Sequence, residues 1–140
     1  MEIRRDKYLD LLIHSCGNGL IKVITGMRRC GKSYLLFTLF KNYLIKQGVK
    51  EDHIIGVNLE NRLNKSLRDP DALLQYIDSR LASDGQYYVM LDEVQMVSEF
   101  EDVLNSFLSI SNVDVFVTGS NAKFLSKDVI TEFHGRGDEI

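Results

Sequence analysis

One octapeptide constrains this chain more than any other feature: Gly26-Met27-Arg28-Arg29-Cys30-Gly31-Lys32-Ser33. Its two glycines bound a short loop, and the second is followed at once by lysine and a hydroxyl residue. The loop is entered from Ile21-Lys22-Val23-Ile24-Thr25, a run that reads as a buried strand. It leaves through apolar positions 35, 36, 39, 40, 43 and 44, which recur at helical period until Gly48 supplies a stop. A strand feeding a glycine-bounded turn into a helix N-terminus restricts the fold to layered α/β architectures.

The rest of the chain repeats the alternation. Ile54 to Leu59 reads as a second strand. Asp69-Pro70 offers an N-cap and a first-turn proline for a helix with Leu73, Leu74, Ile77 and Leu81 on one face. Tyr87 to Leu91 is a third strand that ends on Asp92-Glu93. Ser98 and Glu101 have capping-box spacing ahead of Phe100, Val103, Leu104, Phe107 and Leu108, which predicts a third helix. Val113 to Thr118 is the fourth strand, and Ser126 is placed to cap a short helix through Phe133. A short helix over Tyr8 to Ile13 leads the chain. Near-continuous apolar strands alternating with helices predict a parallel sheet covered on both faces, with ligands beyond the carboxyl ends of the strands.

Composition narrows the class. The 140 residues suffice for one domain with a core, and 44% apolar against 26% charged residues with a single proline excludes disordered and collagenous chains. Seventeen basic against twenty acidic residues give a net charge of −3, which argues against binding nucleic acid by bulk charge. The densest apolar run, Tyr34 to Phe40, is far below the roughly 18–20 residues of a membrane span and is interrupted by Thr38. Cys16 and Cys30 form no C-x-x-C pair, and His14, His53 and His134 share no ligand spacing with them. A reduced, cytoplasmic protein with no zinc site and no membrane partner is the reading that follows.

The octapeptide fits G-x-x-x-x-G-K-[ST] at every fixed position. Chance alone would supply such a match in roughly one chain of this length in a few hundred, before the strand and helix around it are counted. Glycines at both ends let the backbone wrap closely around phosphate oxygens, so that amides from Gly26 through Tyr34 point inward as donors. The helix that follows adds the positive end of its dipole. Lys32 is suited to neutralise β- and γ-phosphates, and the Ser33 hydroxyl to bind Mg²⁺. Arg28 and Arg29 stand where only backbone is required, and Cys30 is either a thiol sensitised by the helix start or a small filler.

Across the sheet, Asp92 is suited to hold Mg²⁺ beside Ser33, and Glu93 to orient or deprotonate an attacking water. Gln95 is within reach of Glu93 or of that water, or is simply a polar turn residue. At the end of the fourth strand, Ser120 or Asn121 falls near the γ-phosphate if that strand lies between the first and third. Gly135-Arg136-Gly137 presents either a surface arginine or one offered to a neighbouring subunit's nucleotide.

Three ordered segments, Ile24 to Ser33, Leu91 to Gln95 and Val117 to Lys123, resemble the predicted AAA+-like ATPases of bacteria and archaea. The resemblance covers about Arg5 to Ile140. It implies a P-loop NTPase three-layer sandwich with parallel sheet order 5-1-4-3-2, a Walker A loop at 26–33 and a Walker B motif ending at Asp92-Glu93. It also implies a sensor-like Ser120/Asn121 and places Arg136 just before the fifth strand. On this comparison residues 1–140 form one incomplete ATPase domain, its fifth strand cut off at Glu139-Ile140 and its lid and C-terminal region absent. The segment Met96 to Phe100 departs from the family in lacking proline and tryptophan.

The function expected from these readings is Mg²⁺-dependent hydrolysis of ATP to ADP and phosphate, weak in this chain. ATP is preferred to GTP because no Asn-Lys-x-Asp pattern is present. Expected partners are the nucleotide, a further copy of the chain receiving Arg136, and a protein or nucleic acid engaged through the C-terminal region. The alternatives are a nucleotide-dependent switch in which hydrolysis is incidental and, more weakly, a small-molecule kinase.

Overall fold

The computed structural model describes residues 2–25, 29–82, 85–119 and 130–134, with side chains for 8–25, 31–82 and 85–119. Five parallel strands form one sheet: β1 (Ile21–Thr25), β2 (Ile54–Asn58), β3 (Tyr87–Asp92), β4 (Val113–Thr118) and β5 (Ile130–His134). Their spatial order is β2-β3-β4-β1-β5, the order expected from the resemblance. The helices are α1 (Glu2–Ser15), α2 (Arg29–Tyr34), α3 (Lys41–Lys46), α4 (Pro70–Asp78) and α5 (Phe100–Phe107).

Alternation along the strands builds the three layers. Val23, Leu91 and Val117 face one core with Leu73 and Ile77 of α4 and Val103, Leu104 and Phe107 of α5. Their neighbours Ile24, Met90 and Phe116 face the opposite core with Leu12 of α1 and Leu35, Leu36 and Phe40. Successive side chains of a strand point to opposite faces, so two adjacent apolar residues feed two different cores. That is why the central strands read as near-continuous apolar runs.

The helix after the loop is longer and less regular than its periodicity suggests. It passes from α2 through a π-helical stretch, Leu35–Phe40, into α3. Its i→i+5 spacing sets Leu35 and Phe40, both fully buried, on the core side. Gly48, at φ +98°, closes α3, and Val49 N–H donates back to Leu44 O at 3.0 Å. Asp69 caps α4 as expected, its carboxylate accepting from Ala72 N–H at 2.9 Å ahead of Pro70.

Several expectations are corrected. The leading helix spans Glu2–Ser15 rather than Tyr8 to Ile13. Helix α4 stops at Asp78, so Leu81 packs on the core from the segment beyond it. The Ser98–Glu101 capping box does not form: Ser98 N–H is committed to Arg68 O at 3.0 Å, and the chain turns into α5 at Glu99, φ 54°, with no side-chain cap. Finally, the fifth strand is not cut off at Glu139-Ile140. Ile130–His134 fills that place, pairing residue by residue with β1 from Ile21↔Ile130 to Thr25↔His134. The helix expected through Phe133 gives way because β1, fully buried, needs a partner for its outer N–H and C=O groups. Gly135-Arg136 therefore follows this strand in sequence rather than preceding it; Ser126 lies outside the described residues.

Near the amino-terminal ends of β1 and β4, Lys22 of β1 is fully buried and paired with Asp114 of β4. Asn18 Oδ1 also accepts from its ammonium at 3.2 Å, and Gly17 N–H donates to Asp114 Oδ2 at 2.8 Å. This network ties the α1–β1 turn to the sheet. No helix among the described residues is long and apolar enough to cross a membrane.

Candidate functional site

The carboxyl ends of β1, β3 and β4 meet the start of α2. Parallel pairing with β4 between β1 and β3 brings Thr25, Asp92 and Thr118 to one edge of the sheet, where α2 presents Lys32 and Ser33. Ser33 Oγ donates to Asp92 Oδ2 at 2.6 Å. The Thr118 hydroxyl donates to Asp92 Oδ1 and accepts from Glu93 N–H at 2.8 Å. Both oxygens of Asp92 are thus held by hydroxyl groups from two different elements.

Lys32 completes the cluster. Its ammonium donates to Gly119 O at 3.1 Å and lies 3.7 Å from Glu93 Oε2. Gly119 is fixed in turn, its N–H donating to Ile24 O at 3.2 Å. Glu93 sits in the left-handed region, φ 57° and ψ 55°, a conformation uncommon for residues with side chains and held in place by surrounding contacts. Here the enforcing contacts are its N–H to Thr118 and its carboxylate to Gln95 Nε2, at 2.7 Å.

Burial makes the arrangement electrostatically consequential. Lys32 is 5% exposed, Asp92 1% and Glu93 6%. Among the described side chains, two buried carboxylates face one ammonium, and an uncompensated buried charge is costly. The cluster therefore favours a further cation. Its donors near Ser33 are all oxygen, which suits a hard ion such as Mg²⁺. No group of three or more His, Cys, Asp or Glu able to hold a metal occurs among the described residues. An ion that arrives with phosphate oxygens and waters needs only one or two protein ligands.

The structure brings together Lys32, Ser33, Asp92 and Glu93 from the sequence-predicted set. Gly31 is buried within α2, and Tyr34 is 39% exposed on the same helix. Arg29 and Cys30 belong to its first turn by backbone. Gly26, Met27, Arg28, Ser120, Asn121 and Arg136 lie outside the described residues. Thr118 was not among the candidates, although it grips Asp92 directly. Its signal was a hydroxyl residue ending a β-branched strand, meaningful only once that strand is placed beside β3. A groove of about 680 Å³ along β2, lined in part by Phe37, Lys41, Gly56, Tyr76 and Arg80, includes none of the clustered charges. Convergence of polar groups, not cavity size, marks the site.

Comparison with known proteins places this geometry in context. A family profile described as "AAA domain" matches residues 18–140. An uncharacterized protein of Haemophilus influenzae is 35% identical over 139 residues, covering 99% of this chain and 34% of that protein. The uncharacterized protein MJ1544 of Methanocaldococcus jannaschii is 32% identical over 118 residues, covering 83% and 24%. The chain spans about a third and about a quarter of the length of these curated relatives. Among solved structures, a DNA polymerase III gamma subunit-related protein from Thermotoga maritima is similar at TM-score 0.66 and 13% identity, over 91% of this chain and 45% of that one. Caenorhabditis elegans PCH-2 is similar at TM-score 0.59 and 15% identity, over 94% and 42%. At such identities the likeness concerns the fold.

Proposed function

The chain belongs to the AAA domain family, a nucleotide-binding, ATPase-like class, and on that premise we propose that it binds ATP with Mg²⁺ and hydrolyses it to ADP and phosphate. The observation that carries the reading is the meeting of Ser33 and Asp92 at 2.6 Å, with Lys32 and Glu93 paired at 3.7 Å at the same strand ends. Loop amides from Gly26 to Tyr34 cradle the phosphates, Lys32 exchanges Gly119 O for phosphate oxygens, and Ser33 and Asp92 hold the metal. When bound, Mg²⁺ supplies charge compensation for the triphosphate.

Glu93 accepts a proton from a water whose oxygen bonds to the γ-phosphorus. The bond from that phosphorus to the β–γ bridging oxygen breaks, and its electron pair leaves with ADP. Ser120 and Asn121 contribute polar groups near the γ-phosphate, and Arg136 completes the site of a neighbouring copy. The setting is cytoplasmic, and the target is a protein or nucleic acid met through parts of the longer protein.

A second reading, a nucleotide-dependent switch, draws on the hydrogen bonds that already engage Lys32 with Gly119 O and Ser33 with Asp92, so that a ligand must rearrange both to bind. Glu93→Gln separates the two: a switch keeps signalling with ATP in place, whereas an ATPase-driven process stops. The test of the site itself is nucleotide affinity with and without Mg²⁺ for the wild type and Lys32→Ala. Affinity lost in the variant alone supports the reading; equal affinity in both overturns it.

A further inference from the structure

Gln95 holds one buried polar atom that the site does not explain. Its Nε2 donates to Glu93 Oε1 at 2.7 Å, while its Oε1 is buried with no hydrogen-bond partner among the described residues. The amide cannot turn over to relieve this, because its carbonyl would then face a carboxylate oxygen. The orphan acceptor is therefore forced by the bond to Glu93. Buried acceptors left unmatched are uncommon and call for a donor.

We propose that Gln95 is a further catalytic residue of the hydrolysis, its Oε1 being the second acceptor for the attacking water. The inference rests on the hydrolytic reading given above. Amide geometry puts Gln95 Oε1 on the order of 4 Å from Glu93 Oε1, a span that one water closes with two hydrogen bonds. The water gives one hydrogen bond to Gln95 and the other to Glu93, which leaves a lone pair of its oxygen free for the γ-phosphorus. As the new oxygen–phosphorus bond forms and the bond to the bridging oxygen breaks, the proton on the Glu93 side passes to that carboxylate. Gln95 takes no proton; it fixes the water's rotation, which a carboxylate alone leaves free.

The same amide clamps Glu93. Glu93 Oε2 is drawn toward Lys32, and the Gln95 bond to Oε1 keeps the carboxylate from following Lys32 when it moves to phosphate. One side chain two residues beyond the base thus sets both base and nucleophile.

The test compares the wild type with Gln95→Met, which preserves length without donor or acceptor, and with Gln95→Glu, which retains the acceptor but sets a carboxylate against Glu93. Thermal melting establishes that each chain is folded. Dissociation constants for Mg·ATP are expected to agree within threefold, while single-turnover hydrolysis falls about 100-fold in Gln95→Met. A second readout is retention of ADP with aluminium fluoride, which mimics the transferring phosphoryl group and requires a placed water. Wild type retains the complex and Gln95→Met releases it. If Gln95→Met does not fold, Gln95→Asn, too short to bridge Glu93 and the water, is expected to show the same losses. Hydrolysis and retention within threefold of wild type in the substituted chains overturn the inference and leave the hydrolytic reading standing, provided Glu93→Gln is inactive. A wild type that turns over no ATP with enzyme in excess overturns both.

Discussion

Ser33 Oγ and Asp92 Oδ2 stand 2.6 Å apart, so the helix that begins at Arg29 is hydrogen-bonded to the last residue of β3. If Ser33 and Asp92 hold Mg²⁺ as proposed, the ion would take up the two oxygens that this bond now joins. Ser33→Ala removes the donor and leaves a buried carboxylate oxygen unmatched, a loss of about 1–3 kcal/mol. Chemical denaturation should show that loss without ligand, and titration should show nucleotide affinity in the variant nearly independent of Mg²⁺.

The Lys22–Asp114 pair makes a contrasting prediction, since it lies at the far end of the strands from Lys32. Lys22 is fully buried, and Asp114→Ala leaves its ammonium without a carboxylate, facing Asn18 Oδ1 and the Phe116 ring among the described residues. Breaking a buried pair by removing one partner costs about 3–5 kcal/mol. The urea midpoint should fall accordingly, while nucleotide affinity in the remaining folded population stays at the wild-type value.

How much of this could be read beforehand depends on whether the cause was local. Val113–Thr118 was legible to the residue because a strand buried on both faces is mostly apolar and β-branched, a pattern that the single Asp114 does not hide. Asp69-Pro70 was legible because a cap and a first-turn proline act within one turn. Ser98 misled because its capping role lost to a hydrogen bond with Arg68, thirty residues earlier. Ile130–His134 misled because a short run of mixed apolar residues suits strand or helix equally, and pairing with β1 decides. The charged residues of the site were found through loop spacing and strand ends. Thr118 was missed because its role exists only through the register of β4 against β3 and β1. The burial of Lys22 was equally invisible, its partner being ninety-two positions away.

Cys16 offers a test by pH. Burial, then the Asp114 carboxylate, pushes its thiol up to about 11, with Lys22 opposing. The thiolate is the reactive form, so at pH 8 alkylation of Cys16, followed by peptide mass mapping, should run about 100-fold slower than for a free cysteine. The raised value also sets a sign for stability. The unfolded thiol ionises near 9.0 and the folded one near 11, so this contribution is fully present below pH 9 and is lost as pH rises through 11. Cys16→Ala should flatten the decline of stability between those values.

Glu93→Gln is the substitution whose effects on binding and turnover should diverge most. The replacement is isosteric, and its amide oxygen still accepts from Gln95 Nε2 in place of Glu93 Oε1. The left-handed backbone at this position is held by Thr118, which the change does not touch. Removing one of two buried carboxylates leaves Asp92 to balance Lys32, so thermal stability without ligand should hold within about 1 kcal/mol or rise. Lys32 also loses an attraction that competes with phosphate, so ATP should bind as tightly as in the wild type or more tightly. Hydrolysis should fall by about 10²- to 10⁴-fold, because no group remains to accept the proton of the water. Isothermal titration with ATP alongside single-turnover phosphate release measures both. Parallel loss of binding and turnover would show that Glu93 holds the nucleotide rather than activating water.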